Sequence, residues 1–137
     1  MTVLIDTSFL LALAVTRDPN HALAQTTINI INTVFVLPIP VMPELFYMIS
    51  VRANYKAAVN NFGYLQRAGF QVEPISLTDR ERMAEIMAKY LDAQFDFVDI
   101  AIMALAERLE ITQILTFDRR DFTIFRPRHC AYLELFP

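Results

Sequence analysis

The hydrophobic segment Phe95–Arg108 carries two acidic residues close to its start. Asp96 and Asp99 lie one helical turn apart if this segment forms a helix. Three further acids stand beside hydrophobic stretches elsewhere in the chain, namely Asp6, Glu44 and Asp118. Mg²⁺ and Mn²⁺ prefer oxygen ligands, usually a few carboxylates with water in the remaining positions. If the fold gathers these acids, they form a site for a hard divalent cation.

Each of these acids also has an ordinary structural explanation. Asp96 could cap the N-terminus of its helix, and Asp99 and Glu44 could be first-turn acids favoured by the helix dipole. Asp6 and Asp118 are harder to explain in this way, because both are expected to end buried strands. A carboxylate in that position is desolvated unless a donor, a cation or a metal partners it. The metal hypothesis therefore rests on the convergence of distant acids.

Soft metal ligands are scarce in this chain. The two histidines, His21 and His129, are far from the acids in sequence, and Cys130 is the only cysteine. This composition disfavours a zinc site and excludes an internal disulfide. The N-terminal segment resembles no signal peptide, because Asp6 interrupts it before an apolar core could form. We therefore expect the protein in a reducing cytoplasm.

Hydrophobic runs and turn residues predict alternating strands and helices. Ser8 is expected to cap the first helix and Thr78–Glu81 to form a capping box. The predicted strands are 3–5, 33–37, 70–75, 113–117 and 131–135, and the predicted helices are 9–16, 20–32, 43–51, 54–68, 78–91 and 96–109. This alternation is typical of a parallel α/β sheet with helices on both faces, in a single domain spanning residues 1–137. Ligands bind such sheets at the C-terminal edge of the strands, where Asp6 and Asp118 are predicted to lie.

The composition is 55% hydrophobic with a mean hydropathy of +0.34. The longest uncharged apolar run, Phe9–Val15, is much shorter than the roughly 20 residues that span a bilayer, so we expect no membrane segment. An apolar excess on a small domain predicts that another chain, either a second copy or a different partner, covers part of the surface.

The net charge of −3 argues at first against a nucleic-acid partner. If the four acids Asp6, Glu44, Asp99 and Asp118 are set aside, however, the chain has eleven acidic and twelve basic residues. A bound divalent cation would neutralise much of the charge of the four acids. Ten of the twelve basic residues are arginine, which binds phosphate in a bidentate manner. The charge balance therefore permits a phosphate-containing substrate.

Four short motifs, in this order along the chain, resemble those of PIN-domain ribonucleases, especially VapC-type toxins. The motifs are Asp6-Thr7-Ser8-Phe9-Leu10, Pro43-Glu44-Leu45, Asp96-x-x-Asp99 followed by Ala106-Glu107-Arg108, and Leu115-Thr116-Phe117-Asp118-Arg119-Arg120-Asp121-Phe122. The resemblance spans nearly the whole chain. It implies a PIN-like three-layer α/β/α fold with a five-stranded parallel sheet and an acidic pocket for Mg²⁺ or Mn²⁺. The usual Asp-Ala after the helix acid is replaced by Asp99-Ile100, which concerns packing more than chemistry.

The resemblance also implies roles for individual residues. Asp6 and Asp99 match the principal metal ligands, and Glu44 and Asp118 match acids that complete the pocket, partly through water. The remaining matches are Asp96 as an outer-shell acid, Ser8 and Thr116 as hydroxyls that orient carboxylates, water or phosphate, and Arg119 or Arg120 as a contact to the incoming strand. Those two arginines could equally be ordinary surface charges.

The implied activity is metal-dependent hydrolysis of RNA phosphodiesters, leaving 5′-phosphate and 3′-hydroxyl ends. A VapC-type toxin also implies a cognate antitoxin protein and a homodimer. Within the same family, a non-toxin nuclease of RNA processing and an inactive protein-binding module are alternatives.

Two other classes of protein with strand-end acids fit the sequence less well. A receiver-like phospho-switch needs adjacent acids early in the chain and a lysine that ends a late strand, whereas Lys56 and Lys89 fall in predicted helices. A phosphatase with two acids separated by one residue is disfavoured because Ser8 stands where the second acid would be.

Overall fold

The computed structural model describes residues 1–137 as a five-stranded parallel sheet with helices on both faces. The strands are β1 (Thr2–Ile5), β2 (Val34–Pro38), β3 (Gln71–Glu73), β4 (Gln113–Leu115) and β5 (Glu134–Phe136), and the helices are α1 (Thr7–Ala14), α2 (His21–Ile30), α3 (Val41–Arg52), α4 (Tyr55–Arg67), α5 (Leu77–Lys89), α6 (Phe97–Leu109) and α7 (Arg120–Ile124). A 3₁₀ turn, Leu91–Ala93, precedes α6. The predicted PIN-like three-layer α/β/α arrangement is confirmed.

The strand order is β3-β2-β1-β4-β5, so β1 and β4 are neighbours at the centre of the sheet. Leu4 pairs with Ile114 and Ile5 with Leu115. Asp6 and Thr116, which follow Ile5 and Leu115, are therefore neighbours at the C-terminal ends of the two strands. This register brings together two residues that are 110 positions apart in the sequence.

Helix α1 packs against α2 and α3, and α3 packs against α4, whereas α5 packs against α6. Helix α6 lies in the core, and every residue from Val98 to Ala106 is buried. Its three alanines in this stretch give it a slender profile. Because a helix that is apolar on all sides must be surrounded by protein, Asp99 in its first turn is buried as well.

Two ion pairs attach α6 to α5. Arg82 donates from Nε to Oε1 of Glu107 at 2.6 Å, and Arg108 donates from Nε to Oδ1 of Asp79 at 2.9 Å. The Asp79 carboxyl is buried, which by itself raises its pKa, but the hydrogen bonds from Arg108 and Ser76 outweigh burial and hold the pKa of Asp79 below its usual value. These contacts fix α6, and with it the position of Asp99.

Several predicted boundaries were wrong in their details. Helix α1 begins at Thr7 with Asp6 as its N-cap, so Ser8 does not cap it, and the capping box of α5 is formed by Ser76 and Asp79 rather than by Thr78 and Glu81. The predicted strands 70–75, 113–117 and 131–135 are shorter or displaced in the structure, and α7 was not predicted. Short polar side chains compete for cap positions, and neighbouring candidates cannot be separated without the backbone angles.

None of the helices is long and apolar enough to cross a lipid bilayer.

Candidate active site

A cavity of about 520 Å³ opens at the C-terminal ends of β1 and β4. Its lining is strongly acidic and contains one basic side chain, Arg52. The acids are Asp6, Asp18, Glu44, Asp96, Asp99 and Asp118. The fold therefore brings the five acids singled out in the sequence to one place and adds Asp18.

Asp6 is the best-supported carboxylate of the cavity. It is 3% exposed, and its Oδ1 accepts a hydrogen bond from the backbone N–H of Thr7 at 2.7 Å. Its Oδ2 accepts from the hydroxyls of Thr116 at 2.7 Å and Ser8 at 3.1 Å. Burial raises the pKa of Asp6 to about 6, even though these donors act in the opposite direction. Without a bound cation, this carboxylate is costly to ionise.

The hydroxyls of Ser8 and Thr116 connect Asp6 to the loop that follows β4. Their oxygens are 3.0 Å apart, and Ser8 accepts from the backbone N–H of Phe117 at 2.9 Å. Thr116, which is fully buried, accepts from the backbone N–H of Asp118 at 3.0 Å. The two hydroxyls thus orient Asp6 and the backbone that carries Asp118.

Asp99 lacks comparable support. It is 4% exposed, and its buried Oδ2 has no hydrogen-bond partner. Burial raises the pKa of Asp99 well above its usual value, and the negative charges of Asp6 and Asp121 raise it further. A buried carboxylate oxygen with no donor and with acids nearby is a position that a cation would stabilise.

The other three predicted acids are more accessible. Glu44 is half-buried in the first turn of α3, and burial together with the charges of Asp96 and Asp118 raises its pKa. Asp96 is exposed and caps α6, accepting from the backbone N–H of Val98 at 3.1 Å. Asp118 is also exposed, because β4 ends three residues earlier at Leu115. The expectation that Asp118 ends a buried strand was therefore wrong, although its side chain lines the cavity.

Arg119 and Arg120 do not line the cavity. Arg119 donates to the carbonyl oxygens of Leu135 and Pro137, at 3.3 and 2.8 Å. Arg120 pairs with Asp121 at 2.7 Å and donates to the carbonyl of Ala93 at the same distance. Both side chains connect segments of the fold around α7.

Sequence reasoning assigned no role to three residues of this region, namely Asp18, Arg52 and Asp121. Asp121 is 6% exposed and accepts, on Oδ2, from the backbone N–H of Asp96 at 3.0 Å, which attaches the start of α6 to α7. Arg52 ends α3 and forms an ion pair with Asp18 at 3.2 Å. Asp121 stands in the last of the four motifs but was given no role there, and Asp18 and Arg52 lie in no motif, so only the tertiary structure showed what they contact.

The donor atoms of the cavity suit a hard divalent cation, but the acids are spaced too widely to hold an ion without water. Its acids supply only oxygen donors, and Asp99 offers an unpartnered one. No three histidine, cysteine or acidic side chains are close enough to hold one ion directly. Mg²⁺ usually retains several waters and takes only one or two carboxylates directly, so a partly hydrated ion fits this wider spacing.

A family model described as "PIN domain" matches residues 3–125. The chain belongs to the PIN-domain family. A relative, Ribonuclease VapC26 of Mycobacterium tuberculosis, is 31% identical over 125 residues, which are 91% of this chain and 93% of the relative. This agrees with the resemblance to VapC-type PIN proteins noted from the motifs.

Solved structures support the same PIN fold. VapC20 of Mycobacterium tuberculosis, described as a sarcin-ricin loop cleaving toxin, superposes with a TM-score of 0.83 at 22% identity, covering 93% of this chain and 98% of that one. VapBC2 of Rickettsia felis, solved with a promoter DNA fragment, gives 0.73 at 13% identity over 100% of both chains. A toxin–antitoxin complex of Klebsiella pneumoniae gives 0.62 at 18% identity over 88% of this chain and 89% of that one.

Proposed function

We propose that this PIN-domain protein is a Mg²⁺- or Mn²⁺-dependent endoribonuclease and the toxin of a type II toxin–antitoxin pair, acting as one domain, residues 1–137, in the cytoplasm. The observation that carries the catalytic part is the unpartnered, buried Oδ2 of Asp99 beside Asp6 in an acid-lined cavity. The family membership and the relative named a ribonuclease support the choice of RNA as substrate.

Asp6 and Asp99 are the principal metal ligands in this proposal, because they are the two most deeply buried acids of the cavity. Glu44 and Asp118 are accessible and complete the metal site partly through water. A bound cation would supply a water of lowered pKa and stabilise the negative charge that develops on the phosphate.

The residues of the chain around this site orient and position it. Ser8 and Thr116 hold one carboxylate oxygen of Asp6 and the backbone N–H of Thr7 holds the other, so that the carboxylate has a defined orientation at the cavity. Asp96 fixes the start of α6 as its N-cap and thereby the direction of Asp99. No side chain of the cavity is needed as a covalent nucleophile, since the attacking group is water.

The apolar surface supports the proposed protein partners. The adjacent helices α3 and α4 carry six exposed aromatic and aliphatic side chains, namely Tyr47, Val51, Tyr55, Val59, Phe62 and Tyr64. Scattered apolar side chains are normal on a surface, but a group of this kind on adjacent helices is typical of an interaction site. An antitoxin and a second copy of the chain are the proposed partners.

The catalytic proposal is tested by separate Asp6→Asn and Asp99→Asn variants, assayed for cleavage of ribosomal and messenger RNA with Mg²⁺ or Mn²⁺ and with EDTA. Both variants are expected to lose nearly all activity while retaining the wild-type circular dichroism spectrum. Glu81→Gln, an exposed acid on α5 away from the cavity, is the matched control and should cleave normally. Full activity in either cavity variant, or in EDTA, would refute the metal assignment.

The toxin proposal is tested by inducing the chain in cells, with sequencing of RNA 5′ ends. Growth arrest with new 5′-phosphate ends is expected, together with rescue by a small protein encoded beside it that co-purifies with the chain. Light scattering on the isolated chain measures whether it is a dimer. Harmless induction in the absence of any such partner would instead favour a nuclease of RNA processing.

A further inference from the structure

Arg52 is the only basic side chain that lines the acidic cavity. It is the last residue of α3, and 44% of its side chain is exposed. A single nitrogen, Nη2, contacts Asp18 Oδ2 at 3.2 Å, so the other guanidinium donors have no protein partner. Because an ion pair of this exposure contributes little, about 0–1 kcal/mol, Arg52 can exchange its partner at low cost.

The cavity-lining residues of α3 form a stripe that leads to Arg52. Glu44, Met48 and Arg52 are four residues apart and lie on the same face of the helix, and all three line the cavity. At a rise of 1.5 Å per residue, the backbone positions of Glu44 and Arg52 are about 12 Å apart. The stripe thus leads from Glu44 at the proposed metal site, past Met48, to the partly exposed guanidinium of Arg52.

We infer that Arg52 binds a backbone phosphate of the RNA that flanks the scissile phosphodiester, exchanging Asp18 for the phosphate. This inference rests on the proposed ribonuclease function. The acids of the cavity repel a polyanion, and a metal ion would neutralise only the phosphate that it contacts. A flanking phosphate needs a separate cation, and the arginine fork matches phosphate in a bidentate manner.

The neighbouring groups leave Arg52 available for this role. Asp18 is held in place independently, since its Oδ1 accepts from the backbone N–H of Asn20 at 2.8 Å. Arg17 donates to the main-chain carbonyl of Arg52 and so fixes the end of α3 without occupying the Arg52 side chain. Arg119 and Arg120, the alternative strand contacts, bind carbonyl oxygens away from the cavity.

The test compares Arg52→Gln with the wild type in steady-state cleavage of one RNA over a series of salt concentrations. The KM should rise about tenfold or more, as expected for the loss of a charge-assisted hydrogen bond, with kcat nearly unchanged. The dependence of log kcat/KM on log salt should become shallower by about 0.7, corresponding to one single-strand phosphate contact. Arg80→Gln is the control, because Arg80 is exposed on α5 and has no side-chain partner.

Asp18→Asn separates a phosphate contact from a purely structural ion pair. The amide oxygen in this variant can still accept from the backbone N–H of Asn20, while Arg52 is released and one negative charge is removed, so the KM should fall. A structural pair predicts instead that Arg52→Gln and Asp18→Asn impair the enzyme alike.

Each outcome is decisive. If the wild type cleaves RNA and Arg52→Gln behaves as Arg80→Gln does, or if both partners of the pair change KM in the same direction, the inference is overturned and the proposed function stands. If the wild type cleaves no RNA, the proposed function fails. Fluorescence anisotropy with a labelled random-sequence single-stranded RNA then decides whether Arg52→Gln weakens binding and lowers its salt dependence.

Discussion

Replacing Asp99 by asparagine should stabilise the metal-free protein while removing its response to metal. Asp99 is buried, its Oδ2 has no partner, and its pKa is raised by burial and by neighbouring acids. The amide that the substitution introduces carries no charge and places an N–H donor beside the neighbouring acids. The substitution therefore removes an electrostatic penalty that the fold tolerates at the cavity.

The size of this effect can be estimated from Asp6, the neighbouring acid. Its pKa rises from 3.8 to about 6, which corresponds to about 3 kcal/mol between the two protonation states. Asp99 has fewer donors than Asp6, so a penalty of the same order, about 3 kcal/mol, is expected at neutral pH. With an unfolding entropy of about 0.3 kcal/mol/K for a chain of this length, the Tm should rise by about 10 °C.

The pH dependence of the folding stability tests the same electrostatic penalty. A carboxyl whose pKa is raised by folding contributes stability that is fully present below its unfolded pKa and is lost as pH rises through its folded pKa. For Asp6 this window lies between 3.8 and about 6. The metal-free wild type should thus lose stability from about pH 4 to about pH 6 through Asp6 and further above pH 6 through Asp99, whose pKa is raised to about 10, and Asp99→Asn should lack this second loss.

The assay is thermal unfolding in EDTA and in Mg²⁺ or Mn²⁺ at several pH values. Saturating metal at about 100 times its Kd stabilises a protein by about 2.7 kcal/mol, so the wild-type Tm should rise with metal and that of Asp99→Asn should not. Asp79→Asn is the control of opposite sign, because the paired Asp79 has a lowered pKa and its loss should destabilise the fold. A lower Tm for Asp99→Asn in EDTA, or an undiminished metal response, would refute the reasoning.

Three further predictions concern the support of the site. Thr116→Val removes the 2.7 Å donor to Asp6 and should weaken metal affinity about tenfold or more, as measured by calorimetric titration, whereas unchanged affinity would show that the hydroxyl is dispensable. Metal affinity of the wild type should increase with pH through about 6 and continue to rise above it, because the protons on Asp6 and Asp99 must both leave before metal binds, and a flat profile in the same titration would contradict the raised pKa values. Glu107→Gln breaks the largely buried ion pair with Arg82 and should destabilise the protein by about 2 kcal/mol in urea unfolding. RNA cleavage measured well below the Tm should stay normal, and a selective loss of activity would show that this ion pair has a role beyond stability.

The local pattern of the sequence determined most of the architecture and the identity of the acids. Short apolar runs and turn residues predict four strands and six helices close to where they lie, because burial imposes its periodicity directly on the chain. The acids stood out because carboxylates beside apolar runs are costly without a partner. The strands of a parallel sheet end at the same edge, and this property predicted that Asp6 and Asp118 lie together. The resemblance to PIN-domain ribonucleases implied that Glu44 and Asp99 join them.

Only the tertiary structure decided which groups touch and how deeply each acid is buried. The pairing of β1 with β4 places Thr116 beside Asp6, and no local pattern encodes a contact across 110 residues. The early end of β4 leaves Asp118 exposed, whereas the packing around α6 buries Asp99 without a donor. Arg52 and Asp18 become part of the cavity for the same reason. Contacts, burial and pKa depend on distances between remote segments, and those distances exist only once the chain is folded.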